Sequence, residues 1–222
     1  MKILCISDHI DPIVYSNEIK SRFKEVSLVL SAGDLPMRYY DFIVSNLNKP
    51  LLFVFGNHNL KHLAEYKPQY REFNRDIYNF DKGYSFGAVY INGKVKRLKK
   101  YNLIIAGLGG SMLYNGGPNQ YSEFGMTMNV IRLIPKLILR RIFYGRYLDI
   151  LLTHAPPAGI HDLPDRCHTG FKIFLWFMKH FKPKFLIHGH VHLYDRNAER
   201  ASKYLDTCVV NAYNHYLINW EK

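Results

Sequence analysis

Residues 51–59 read Leu-Leu-Phe-Val-Phe-Gly-Asn-His-Asn. Five apolar residues in a row leave no wet face, so 51–55 reads as a strand buried on both sides. Gly56 lets the backbone turn sharply where that strand stops, and Asn57 and His58 are then presented at its carboxyl end. The same arrangement recurs along the chain. "KILCIS" (2–7) runs into Asp8, "VSLVLS" (26–31) into Gly33-Asp34, "DILLT" (149–153) into His154, and "KFLIHG" (184–189) into His190-Val191-His192. "NLIIAG" (102–107) is a further buried run. Helical patterns separate several of these strands, at 17–24, 36–47, 123–144 and 169–181, with Pro36 placed for a first turn and Ser122-Glu123 for a helix start. Residues 203–219 alternate as one or two strands, and Lys-rich 94–100 reads as an edge strand. The whole is an α/β organisation, βαβ early and β-rich late, and chemistry in such sheets gathers at the carboxyl ends of strands.

Composition narrows the setting. The chain has 222 residues, and we read it as one domain spanning 1–222. A chain of this size buries roughly 70% of its unfolded surface, so it needs no disulfide or structural zinc. Cys5, Cys167 and Cys208 are odd in number and scattered, which excludes both a disulfide framework and a paired-cysteine metal clip. The formal charge of +12 favours an anionic partner without choosing among phosphate, nucleic acid and a membrane surface. No secretory pattern opens the chain, and the greasiest segment (130–152) carries Arg132, Lys136, Arg140, Arg141 and Arg146, which argues against a bilayer span. The expected compartment is a reducing cytoplasm.

Any one of the strand-end residues is ordinary: an exposed His is usually surface, and an Asp ending a strand often caps a helix. The ordered series is not ordinary. Asp8, Gly33-Asp34, Gly56-Asn57-His58, His154 and Gly189-His190-Val191-His192 together resemble the motifs of the calcineurin-like metallophosphoesterases (D-x-H, G-D, G-N-H-[DE], H, G-H-x-H). The stretch "HAPPAGIHD" (154–162) is further similar to the small phosphodiesterase branch related to class III cyclic-nucleotide phosphodiesterases.

The resemblance implies a two-sheet αββα sandwich and an enzyme, a metal-dependent phosphoric ester hydrolase favouring diesters. It implies two divalent ions of the Mn, Fe or Zn kind, with Asp34 bridging them. One ion would take Asn57, His154 and His190, and the other Asp8 and His192. Two such ions clamp a phosphate and deprotonate water near neutral pH. The resemblance gives His58 the catalytic role of steadying the phosphate or protonating the leaving oxygen, for which an imidazole suits working pH.

Two departures from the pattern stand out. Ile10 occupies the position of the first motif's His and cannot ligate. Asp11 or His9 substitutes, or one ion is weakly held with water in the gap, or a single ion binds. Asn59 replaces the acid after His58, orienting the ring without charge. Asn59, His161 and His168 are candidates for substrate contact, His161 and His168 also for bracing the ligands. Glycine-rich 107–123 reads as a surface loop, available for substrate contact or serving as a connector.

The partner expected is a small phosphate ester such as a nucleotide, with nucleic acid not favoured. "GDLPMRYY" lacks the additional charges that phosphoprotein phosphatases carry. The rival reading is a non-catalytic metal- or nucleotide-binding protein on a degenerate site. Basic, amphipathic 130–147 reads as a helix covering the core with a solvated face, and the alternative is a membrane-surface or nucleic-acid contact.

Overall fold

The computed structural model describes residues 1–58, 60–67, 87–195 and 197–221. Strand β1 (Lys2–Ser7) shows how the buried runs are used: Ile3 and Cys5 point to one face, Leu4 and Ile6 to the other, and all four are fully buried. Successive side chains of a strand alternate faces, so a run apolar throughout needs a partner layer on both sides. The first sheet sets β1 beside β2 (Val26–Ser31), β3 (Leu51–Phe53) and β4 (Ala88–Tyr90), all parallel, with β13 (Asn214–Asn219) antiparallel on the far side of β1.

The second sheet has β6 (Leu103–Leu108), β9 (Ile150–Thr153), β10 (Phe185–His188) and β12 (Thr207–Asn211) parallel at its centre. Its edges are β5 (Val95–Leu98), which is the expected lysine-bearing edge strand, and β11 (Ala201–Tyr204). A separate short pair joins β7 (Ser111–Met112) to β8 (Gln120–Tyr121).

Three cores give the layers. Ile3, Leu28, Leu30 and Leu52 of the first sheet meet Ile105, Ile150, Leu152 and Ile187 of the second. The outer face of the first sheet packs under α1 (Ile19–Arg22), α2 (Met37–Leu47) and α3 (Leu63–Tyr66) through Leu4, Val29, Tyr40 and Ile43. The outer face of the second packs under α4 (Glu123–Tyr144) and α5 (Lys172–Phe181) through Ile104, Leu151, Leu133 and Phe177. The result is the αββα sandwich that the resemblance implied.

Where local pattern and structure differ, the reasons are physical. The helix expected at 17–24 shortens to the four residues of α1, because only Ile19 of it is buried and one turn has little to hold it. Residues 201–219 form three strands rather than one or two. Leu205 and Asn214 take positive φ (52° and 62°) and break a period-2 pattern that otherwise runs through the turns. The last of the three crosses to the first sheet. Ser122 caps α4 as expected, its Oγ accepting the Gly125 N–H at 3.1 Å. Among the described residues no helix is long and apolar enough to cross a membrane.

The layering predicts an asymmetry between two leucines. Leu152 is fully buried between the sheets, whereas Leu139 on α4 is 52% exposed. Leu152→Ala is expected to cost about 3 kcal/mol and Leu139→Ala less than about 0.5 kcal/mol, read as shifts in the urea unfolding midpoint.

Candidate metal centre

The two sheets deliver their carboxyl ends to one rim. Asp34 and Asn57 arrive after β2 and β3 of the first sheet, and His154 and His190 after β9 and β10 of the second. Their donor atoms converge on the His154 Nε2, which lies 3.0 Å from Asn57 Oδ1, 3.1 Å from His190 Nδ1 and 3.4 Å from an Asp34 carboxylate oxygen. His154 is fully buried, and Asp34, Asn57 and His190 are nearly so.

Second contacts decide which nitrogens carry protons. His154 Nδ1 lies 2.8 Å from the Ala32 carbonyl, which can only accept, so Nδ1–H donates and Nε2 keeps its lone pair. His190 Nε2 lies 2.7 Å from the Cys167 carbonyl, so by the same reasoning Nδ1 keeps its lone pair. With both rings neutral, their lone pairs would face each other across 3.1 Å, beside a carboxylate. That arrangement is repulsive unless positive charge sits between them.

A proton supplies that charge when no metal does. Burial drives His154 towards its neutral form, but the charge of Asp34 outweighs it and pushes the imidazole up to about 9. His190 is pushed down to about 3, by burial first and by the positive His154 next to it second. Burial also resists the charge on Asp34, yet His154 and the His58 backbone N–H hold that carboxyl below its ordinary value. The donors of Asp34, His154 and His190 lie within 4.8 Å of one another, and a carboxylate with two imidazoles suits a divalent transition ion.

The backbone is bent to achieve this. Asp8, Asp34 and His190 all have φ in the left-handed region, at 65°, 57° and 69°, a conformation non-glycine residues avoid and that gathers at functional sites. Close approach fixes two of the motif glycines. A Cβ on Gly56 would stand 2.1 Å from Asp34 Oδ1 and 2.4 Å from His154 Cε1, and one on Gly189 would stand 2.5 Å from Asp8 Oδ2.

The remaining expected residues divide. Asp8 accepts the His190 backbone N–H on both oxygens at 3.0 Å, and burial raises its carboxyl above the ordinary value. His192 is exposed, stacked on Tyr213 with ring centres 4.9 Å apart and its Nδ1 3.0 Å from the Tyr194 hydroxyl. His9 is exposed as well, 6.5 Å from the same Tyr213 ring. Asp11, the candidate for the gap left by Ile10, has both carboxylate oxygens engaged by protein groups. One oxygen takes the Ile13 N–H at 2.8 Å and the other the His215 ring at 2.6 Å, so the carboxylate closes a turn and pairs with β13.

His58 is exposed, and its backbone N–H donates to Asp34 at 2.8 Å, which sets the imidazole at the lip of the cluster. His168 lies beside the cluster, its ring 5.2 Å from that of His190 and hydrogen-bonded to Asp165. His161 has a hydrogen-bond partner at each ring nitrogen. Its Nδ1 lies 3.0 Å from His188 and its Nε2 2.7 Å from Ser202. His188 in turn donates to the Gly189 carbonyl at 2.9 Å. Asn59 lies outside the described residues.

Several supporting groups carry no local signal. The Tyr114 hydroxyl accepts from Asn57 Nδ2 at 3.2 Å, which turns the amide oxygen of Asn57 towards His154. Asn119, buried, donates to the Phe55 and Gly56 carbonyls at 3.2 and 2.6 Å. The glycine-rich segment 107–123 is thus a brace for the end of β3 that also brings Tyr114 to the cluster. Only its density of glycine and amide side chains hinted at either role.

Comparison with known proteins agrees with this architecture. The family model for the calcineurin-like phosphoesterases matches residues 1–194. One crystal structure superposes with a TM-score of 0.65 at 14% identity, over 98% of this chain and 94% of that one. The crystal structure of TT1561 of Thermus thermophilus superposes with a TM-score of 0.59, also at 14% identity, over 96% of this chain and 89% of that one. At such identities the two structures speak to the fold alone. No curated protein matches the chain.

If the strand ends are packed around a cation position, a methyl group at Gly56 must displace Asp34. Gly56→Ala is expected to weaken Mn²⁺ binding by about tenfold or more in calorimetric titration. Gly125→Ala is the control: its Cβ meets nothing closer than 3.4 Å, and Mn²⁺ binding should be unchanged.

Proposed function

We propose that this chain, which belongs to the calcineurin-like phosphoesterase family, hydrolyses phosphodiesters with the help of two divalent metal ions. The observation that carries the reading is the convergence of Asp34, Asn57, His154 and His190, with the lone pairs of both imidazoles facing one point. These four would hold one ion. Asp8 and His192, with Asp34 shared, would hold the other. Such ions supply Lewis acidity towards phosphate and a nucleophilic water at neutral pH.

The chain's own residues do the rest. Ala32 and Cys167 fix the imidazole tautomers through their carbonyls, and Tyr114 fixes the Asn57 amide. The lip position of His58 suits it to meet a phosphate oxygen as charge builds there or to protonate the departing alkoxide. His168, hydrogen-bonded to Asp165 and with its ring 5.2 Å from that of His190, is close enough to the cluster to serve as a substrate contact. Preference for a diester rests on the segment after Asp34. Leu35, Met37, Tyr39 and Tyr40 are buried in the core, and Arg38, the one cation there, is exposed in the first turn of α2. The segment therefore sets no buried cation beside the cluster to meet the additional charge of a monoester. A small phosphodiester, such as a nucleotide, is the substrate class we favour.

One observation supports the rival, a non-catalytic metal- or nucleotide-binding protein on a degenerate site. Asp11 is committed to His215, and His192 leans on Tyr213, so the second position has fewer assembled donors than the first.

With bis(p-nitrophenyl) phosphate and Mn²⁺, Asp34→Asn is expected to lower kcat/KM by about a thousandfold or more, while His58→Ala lowers kcat by about a hundredfold and leaves metal content unchanged. Full activity in either variant removes that residue from the role given to it. Metal binding without turnover in the wild-type chain favours the rival.

A further inference from the structure

Helix α4 buries one face and exposes another that is equally apolar. Met126, Val130, Leu133 and Leu137 lie in the core under the second sheet. Turned away from them are Ile131, Ile138, Leu139, Ile142 and Phe143, between 45% and 71% exposed. They stand at positions i, i+7, i+8, i+11 and i+12, which at 3.6 residues per turn is one continuous stripe. Phe124, seven residues before Ile131, is 74% exposed and extends it by two turns. A helix that packs only against its own domain has no use for an apolar outward face, and a patch of this kind marks an interaction surface.

The charges of α4 that flank the stretch from Ile131 to Phe143 are all of one sign. Arg132, Lys136 and Arg140 run along one flank at four-residue spacing, and Arg141 lies on the other. Glu123 is the only acidic residue in the helix. Across from the Lys136 flank, Lys94, just before β5, and Lys96 on it join Lys136 and Arg140 to line a groove whose apolar side is Leu139 and Phe143. None of these six cations forms an ion pair among the described residues.

We infer that the outward face of α4 docks on the surface of an anionic lipid bilayer, its apolar stripe in the headgroup–acyl boundary and its cations on lipid phosphates. The charge pattern selects this occupant. Helices that lie in the plane of a membrane combine an apolar face with flanking Lys and Arg, and each half supplies part of the affinity. A second copy of the chain across a two-fold axis would set the same cations against each other. A nucleic acid would satisfy the cations but leave the stripe of Ile, Leu and Phe against phosphate. The helix is not apolar enough to cross a bilayer.

The test is flotation of the whole chain with vesicles of phosphatidylcholine alone and of phosphatidylcholine with phosphatidylglycerol in equal parts, at physiological ionic strength. The expected result is partition onto the anionic vesicles at least about tenfold stronger than onto the neutral ones. The double variant Ile142→Asn/Phe143→Ser should lose most of that binding, as should Arg132→Glu/Lys136→Glu, both with an unchanged thermal melt because all four side chains are exposed. Absence of preference for anionic vesicles overturns the proposal. So does undiminished binding by the Ile142→Asn/Phe143→Ser variant. A wild-type dimer in sedimentation that this variant dissociates reassigns the face to contact between copies and overturns it as well. Duplex DNA that displaces the protein from vesicles and binds the same variant equally well assigns the face to nucleic acid, with the same consequence.

Discussion

Everything at the rim depends on one buried imidazole. His154 belongs to the second sheet, but its Nδ1 donates to Ala32 of the first, and its Nε2 faces Asp34 and Asn57 of the first sheet and His190 of the second. The cluster therefore exists only while the two sheets hold their registration, and the inter-sheet core of Ile3, Leu28, Leu30, Ile105, Leu152 and Ile187 is what holds it. Packing and chemistry are linked at this point: the apolar core sets the distance, and the lone pairs it brings together require a cation. The close approach of Gly56 to Asp34 and His154, and of Gly189 to Asp8, is a consequence of that demand.

The backbone strain has the same origin. Three acidic or imidazole residues held at positive φ is an uncommon concentration, each disfavoured by roughly 1 kcal/mol or more. The hydrogen bonds around them show what compensates: His58 N–H to Asp34, His190 N–H to both oxygens of Asp8, Asp8 N–H to the Gly33 carbonyl. The loops after β1, β2 and β10 thus hold one another, and each reads as strained only when taken alone.

Much of the fold is readable from the chain because its information is local. Unbroken apolar runs mark strands buried on two faces, and glycine followed by Asp, Asn or His marks where each one stops. The residues after those stops supply the cluster. Long-range pairing is what such a reading misses. Asp11 looks available for a metal from its neighbours, but its partner His215 lies 204 residues away on a strand from the far end of the chain. The partners of His161 are likewise invisible locally, since His188 lies on β10 and Ser202 on β11. Tyr114 and the Cys167 carbonyl carry no residue-type signal at all. The helix pattern at 123–144 is plain in the sequence. That its outward face stays apolar becomes visible only once burial shows which stripe the core uses.

If the pocket of Asp34, Asn57, His154 and His190 holds a divalent cation, metal content per chain will show it. The measurement is elemental mass spectrometry after equilibration with Mn²⁺ and desalting. Bound ion is expected in the wild-type chain and in the Gly125→Ala control. Loss of the ion at this position is expected in His154→Ala and His190→Gln, with the fold of both variants confirmed by circular dichroism. A metal-free wild-type chain, or a folded His154→Ala variant that keeps its full metal content, would refute the assignment of this pocket.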